Sequence, residues 1–183
     1  SGHVLGATTC NRPGIARRQR DGEPRAGSRN PSTDSHFRVF AMQTLANARS
    51  SAEVAVSHDP LVVAFEAASI DPASFHHREH LYVAWCYLCA LSLEEALARY
   101  VRHLRQLTRA LGAPEKFHAT VTWAYVLLVH DAMQRSPNAS FDALLEENPA
   151  LLDHRSGALS RLYDRAELDS DRARRHFVLP GRT

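Results

Sequence analysis

The spacing of the apolar residues constrains this fold more than any other feature of the sequence. From residue 36 onward they recur with the period of an α-helix, and no run alternates with period two as a half-buried strand would. The chain has 183 residues, 44% of them hydrophobic, which is enough for one domain with a sizeable core. We therefore predict an all-α fold, a single-domain bundle of five or six helices.

Several helices carry their own start and stop signals. Ser92 and Glu95 form a capping box at the head of the longest helical segment, and Gly112 ends it. A second helix, predicted over 113–134, follows almost at once, so we expect the two to lie antiparallel. A further helix is predicted over 37–55, and the tail offers two short ones.

Residues 1–35 differ from everything after them. They are rich in Gly, Pro, Ser and Arg and have almost no aliphatic periodicity, a composition typical of disorder. The first methionine is Met42, and the opening Ser-Gly-His resembles a vector-derived sequence. We therefore divide the chain into an arm over 1–35, flexible or vector-derived and loosely attached, and a helical domain over 36–183.

Charge and cysteine content narrow the classes of function. The net charge of +2 creates no strong field toward nucleic acid, and the longest apolar run, 121–129, is too short to span a membrane. Three cysteines do not make a disulfide framework, so we expect a cytoplasmic protein. One segment carries arginines at helical spacing, which is more typical of a solvated face than of an anion site. These are Arg99, Arg102, Arg105 and Arg109.

Histidines from two predicted helices point to one interior. On a helical projection, His77 and His80 fall on the arc of the apolar, core-facing side chains, and His118 falls on the inward stripe of the 113–134 helix together with Thr122 and Tyr125. A pair one turn apart on one helix, joined by a third ligand from another, is how helical bundles build metal sites. We therefore predict one divalent transition metal (Zn, Fe, Ni or Cu) bound by His77, His80 and His118.

Such a site favours a small metalloenzyme. Three imidazoles leave coordination positions open, and Tyr125 or Thr122 would stand beside them as the catalytic groups. The substrate would be a small molecule, with hydrolysis, lyase chemistry and oxygenation equally open. Two alternatives remain, a non-enzymatic protein that binds a small ligand or metal, and an interaction module with structural histidines. A homodimer is also open.

Cys86 and Cys89 form a C-x-x-C pair in the middle of the same predicted helix. They project roughly opposite the histidine arc, and the middle of a helix lacks the turn that zinc knuckles and redox motifs use. We interpret both as small core residues, and the neighbouring Trp85 and Tyr87 as core.

The chain resembles a family of small, uncharacterised all-α bacterial proteins. The resemblance rests on F-x-H-x-x-H-L-x-x-A-W, (Y/F)-H-x-T-x-T and L-x-S-x-x-A-R-x-x-F-V-x-P segments and covers about residues 59–180. It implies a helical fold and a site among the motif residues. These are Phe75, His77, His80, Leu81, His118, Thr120 and Thr122. Many members have Glu where this chain has Ala119, which sets this chain apart from them.

Overall fold

The computed structural model describes residues 58–153 and 157–181, and in these ranges it contains seven α-helices, three single-turn 3₁₀ helices and no strand. The α-helices are α1 (Pro60–Glu66), α2 (His77–Ala90), α3 (Leu93–Ala110), α4 (Ala119–Arg135), α5 (Phe141–Glu147), α6 (Arg165–Leu168) and α7 (Asp171–Arg175). The 3₁₀ helices are Pro114–Lys116, Pro149–Leu151 and Leu159–Arg161.

The predicted all-α fold is confirmed. The described ranges hold more helices than the five or six predicted, because the chain after α5 forms several elements of only three to five residues. The predicted arm over 1–35 and the predicted helix over 37–55 lie outside the described residues. Within the described ranges, no helix is both long enough and apolar enough to cross a membrane.

The core is built around α2, which packs against α3 and α4. This helix is apolar on nearly every face after its first turn, which is typical of a helix buried on all sides. Trp85, Tyr87 and Leu88 are almost completely buried, as predicted for the two aromatic residues. Because α2 is central, the histidines in its first turn lie at one edge of the core.

Helix α3 has the caps that the sequence predicts. The Ser92 hydroxyl accepts a hydrogen bond from the backbone N–H of Glu95, and the Glu95 carboxylate accepts one from the backbone N–H of Ser92. Gly112, with a φ of +67°, follows the helix in the left-handed conformation that glycine adopts without strain. The inward face of α3 carries Tyr100, whose side chain is buried against α2.

The helix predicted over 113–134 is wrong at its start. A 3₁₀ turn occupies Pro114–Lys116, and α4 begins at Ala119. His118 is the N-cap residue, with extended backbone (φ −128°, ψ 108°), and its ring replaces the missing helical partner of the Val121 N–H. His118 therefore does not lie on a helical stripe, and the projection that aligned it with Thr122 and Tyr125 does not apply.

The last described segment, with α6 and α7, is fastened to the first turn of α4. The fully buried Thr120 Oγ1 lies 2.8 Å from the Ala173 carbonyl and 2.9 Å from the His176 carbonyl, and accepts from the Val178 N–H at 3.1 Å. We call His118, Thr120 and the backbone of residues 168–178 the C-terminal junction. It joins a tail too short to form a core of its own to the central helices.

Candidate functional site

His77 is the first residue of α2, and its half-buried ring faces the Pro149–Leu151 turn. Its Nε2 lies 2.7 Å from the carbonyl oxygen of Leu151. Because a carbonyl only accepts hydrogen bonds, Nε2 is the nitrogen that carries the hydrogen of this bond. The ring also meets the ring of Tyr125 edge to face, with the centroids 4.6 Å apart. This contact joins the first turn of α2 to the middle of α4.

The Tyr125 hydroxyl is buried and has no hydrogen-bond partner among residues 58–153 and 157–181. Burial raises the pKa of this phenol, and the negative charge of Asp153 raises it further, so the hydroxyl keeps its proton and is a donor. Leaving such a group unpaired costs about 1–3 kcal/mol, and an unpaired buried polar atom in a native fold calls for an explanation. We call His77, Tyr125, Asp153 and the Leu151 carbonyl the His77–Tyr125 corner.

His80 lies one turn further along α2 and is also engaged. Its Nδ1 lies 3.0 Å from the Tyr100 hydroxyl, which donates to the His80 carbonyl at 3.2 Å, and the Phe75 ring packs against the imidazole. Burial and, to a smaller extent, the nearby His77 lower the pKa of His80 to about 4, against a smaller opposing effect of Glu79. His80 is therefore neutral at pH 7 and close enough to His77 for the two to interact electrostatically.

Both ring nitrogens of His118 are occupied. Nδ1 accepts from the Val121 N–H at 3.3 Å, and Nε2 lies 2.8 Å from the Leu168 carbonyl, to which it donates. The hydroxyl of Thr122 is turned toward the same residue and donates to the His118 carbonyl at 2.7 Å. His118 and Thr122 thus serve the start of α4 and the attachment of the tail.

The structure places His77 against Tyr125, whereas the ring of His80, one turn along α2, is turned to Tyr100. His118 and Thr122 bond to backbone carbonyl groups instead. Tyr125 lies seven residues beyond His118, which corresponds to about 10 Å along a helix axis. In residues 58–153 and 157–181, no three His, Cys, Asp or Glu side chains are grouped so as to hold a metal ion. The three-histidine site stays a prediction, and His118 would have to give up hydrogen bonds to take part in it.

Cys86 and Cys89 both lie within α2, as predicted. Cys86 is buried, and this burial raises the pKa of its thiol well above the ordinary range. Cys89 is partly buried and packs against the same core. Cys86 therefore fits the interpretation as a core residue, whereas Cys89 is disulfide-bonded, which that interpretation did not predict.

A basic pocket lies away from the histidines, between the end of α3, the 114–117 turn and α7. Sequence reasoning missed it because the arginines of α3 were interpreted as a solvated face. The other half of the pocket wall comes from α7 in the tail, and the sequence alone does not indicate that this helix lies next to α3. Its main lining residues are Arg105, Arg109, Glu115, Phe117, Arg174 and Arg175.

Comparison of the chain with known protein families, with curated proteins and with solved structures finds no match.

Proposed function

We propose that the protein is a non-enzymatic helical protein that binds a small ligand at the His77–Tyr125 corner, with His118 in a structural role. The observation that carries the proposal is the buried Tyr125 hydroxyl without a partner. A ligand that accepts its hydrogen bond would remove the cost of leaving it unpaired.

The surroundings of Tyr125 indicate the chemistry of the ligand. The phenol offers a donor, and the imidazole of His77 supplies a flat ring beside it. The carboxylate of Asp153 is close enough to influence Tyr125 and disfavours an anion. A neutral or cationic molecule with a hydrogen-bond acceptor fits the polar groups of this corner best.

The metalloenzyme predicted from the sequence is the second candidate, supported by the mutual influence of His77 and His80 one turn apart on α2. Neutral imidazoles are good ligands for zinc, iron, nickel and copper. In this candidate Tyr125 replaces Thr122 as the side chain beside the metal, because Thr122 donates to its own helix.

The deciding experiment uses protein purified without a histidine tag. Native mass spectrometry detects a co-purifying small molecule, and elemental analysis with titration of Zn²⁺, Ni²⁺, Fe²⁺ and Cu²⁺ detects a metal. We expect a bound small molecule that is lost in Tyr125→Phe and retained in Tyr163→Phe. Tyr163 is the matched control, since its buried hydroxyl already donates to the Val178 carbonyl at 2.8 Å.

Other outcomes separate the alternatives. A stoichiometric metal that is lost in both His77→Ala and His80→Ala but retained in His118→Ala would overturn the proposal in favour of the metalloenzyme. Protein that carries neither molecule nor metal, and whose melting temperature no added metal changes, would favour an interaction module with structural histidines.

A further inference from the structure

The basic pocket has the dimensions of a small-molecule site. Its volume is about 410 Å³, and its walls come from three separate parts of the chain, the end of α3, the 114–117 turn and α7. Pockets for small ligands usually measure about 300–1,000 Å³. The pocket contains neither His77 nor Tyr125, so it is independent of the proposed function.

The charges of the pocket are unbalanced. Four arginines face two carboxylates, those of Glu115 and Asp171. Asp171 pairs with Arg175 at 3.4 Å, and both side chains are exposed, so this pair is weak. The other three arginines form no ion pair with any residue that the structure describes. They are Arg105, Arg109 and Arg174.

Contacts other than ion pairs hold the walls of the pocket in place. The guanidinium of Arg105 lies over the ring of Phe117, 4.6 Å from its centroid, an arrangement that holds the side chain in place. At the end of α3, the Gly112 N–H donates to the Arg109 carbonyl and the Ala113 N–H to the Thr108 carbonyl. These bonds occupy carbonyl groups that would otherwise direct negative partial charge at a ligand.

The C-terminal junction fixes the other half of the pocket. Thr120 holds the carbonyl groups of Ala173 and His176, which flank Arg174 and Arg175 in sequence. The Ser170 hydroxyl accepts from the Ala173 N–H and so caps α7. The arginines of α7 therefore face those of α3 from a fastened backbone.

We propose that this pocket binds the phosphate group of a small phosphorylated molecule. The planar guanidinium group matches the geometry of phosphate oxygens and forms paired, charge-assisted hydrogen bonds with them. A small molecule is favoured over a nucleic acid, because the pocket is limited in volume and the whole chain carries a net charge of only +2.

The test is a titration of the full chain with inorganic phosphate and with pyrophosphate. Calorimetry and ³¹P NMR measure the binding, and added chloride keeps the ionic strength constant. We expect saturable binding, tighter for pyrophosphate. In Arg109→Gln and Arg174→Gln, we expect affinity to fall about tenfold, the size of one lost charge-assisted hydrogen bond. The matched control is Arg102→Gln, an exposed arginine of α3 outside the pocket, and we expect its affinity to stay within about twofold of the parent protein.

A variant that strengthens binding guards against loss by unfolding. Glu115→Gln removes a carboxylate from the pocket wall, so we expect phosphate to bind about threefold more tightly. Saturable binding that Arg102→Gln weakens as much as Arg109→Gln, or no saturable binding at all, would overturn the proposal. So would a short single-stranded oligonucleotide that binds more tightly than pyrophosphate. Tyr125→Phe is expected to leave phosphate binding unchanged, which separates this test from that of the His77–Tyr125 corner.

Discussion

Helix α4 connects two polar regions that differ in how completely their polar groups are hydrogen-bonded. At its start, the C-terminal junction pairs both ring nitrogens of His118 and uses the Thr120 hydroxyl as donor and acceptor. Further along the helix, the His77–Tyr125 corner buries a phenol hydroxyl that has no partner in the described part of the chain. Both regions combine an imidazole with a hydroxyl, and both were assigned to one site from the sequence.

Whether every polar group has a hydrogen-bond partner separates the two roles better than residue type does. A fully paired polar network holds a single arrangement and stabilises it. A buried group without a partner costs free energy in the folded protein, and natural folds retain few of them. This difference is the basis for proposing a structural role for the junction and a ligand-binding role for the corner.

The largest effect is expected at the junction, in Thr120→Val. Valine keeps the shape of threonine but removes the one hydroxyl hydrogen that the Ala173 and His176 carbonyls share and the acceptor of the Val178 N–H. Since each unpaired buried group costs about 1–3 kcal/mol, we expect the free energy of unfolding to fall by about 3 kcal/mol. Urea denaturation measures this loss, and hydrogen exchange should show faster exchange in residues 165–178.

Thr122→Val is the matched control on the same helix. Thr122 is also buried, but its hydroxyl only donates to the His118 carbonyl within its own helix. We expect a loss of about 1 kcal/mol or less, with the tail as protected as before. Equal losses in the two variants would mean that Thr120 does not fasten the tail.

The all-α fold and the limits of α3 could be predicted from the sequence because the signals for them are local. The capping box of Ser92 and Glu95 and the stop at Gly112 depend on residues close together in sequence, and the structure confirms them. The start of α4 was missed because His is not among the strongly preferred N-cap residues, so the helical pattern was extended through His118.

The contacts that define the sites are long-range. His118 pairs with Leu168, and His77 pairs with Leu151, far along the chain in both cases. Helical projection gives the direction of a side chain but not the backbone carbonyl it meets. The basic pocket was missed for the same reason, because Arg174 reaches α3 only after the tail has folded onto α4.

A pH experiment tests whether His80, on α2, is held neutral in the folded protein. Burial lowers the pKa of His80 from 6.5 to about 4, so between these values the unfolded chain binds a proton that the folded protein does not. This contribution to stability is complete above pH 6.5 and is lost as the pH falls toward 4. One such group gives a slope of about 1.4 kcal/mol per pH unit, which denaturation at several pH values measures.

His80→Gln removes the titrating group and keeps a side chain able to hydrogen-bond with Tyr100. Between pH 4 and 6.5, we expect the slope of the free energy of unfolding against pH to fall by up to this amount. At pH 7, we expect the variant to change the free energy of unfolding less than it changes it at pH 4. An unchanged slope would show that His80 is not held neutral in the folded protein.

The smallest expected effect has the opposite sign. Tyr125→Phe removes a buried hydroxyl that has no partner and keeps the ring that packs on His77. In protein free of ligand, we therefore expect the free energy of unfolding to stay equal or to rise by about 1 kcal/mol. Urea denaturation of the two proteins, after dialysis against a chelator and extensive dilution, measures the difference.

Tyr163→Phe supplies the comparison, because its hydroxyl donates to the Val178 carbonyl, and we expect a loss of about 1 kcal/mol there. A similar loss in ligand-free Tyr125→Phe would mean that the Tyr125 hydroxyl is already paired, and the distinction between the corner and the junction would disappear. Opposite signs at the two tyrosines would place the cost of an unpaired group at the corner, where a ligand can offset it.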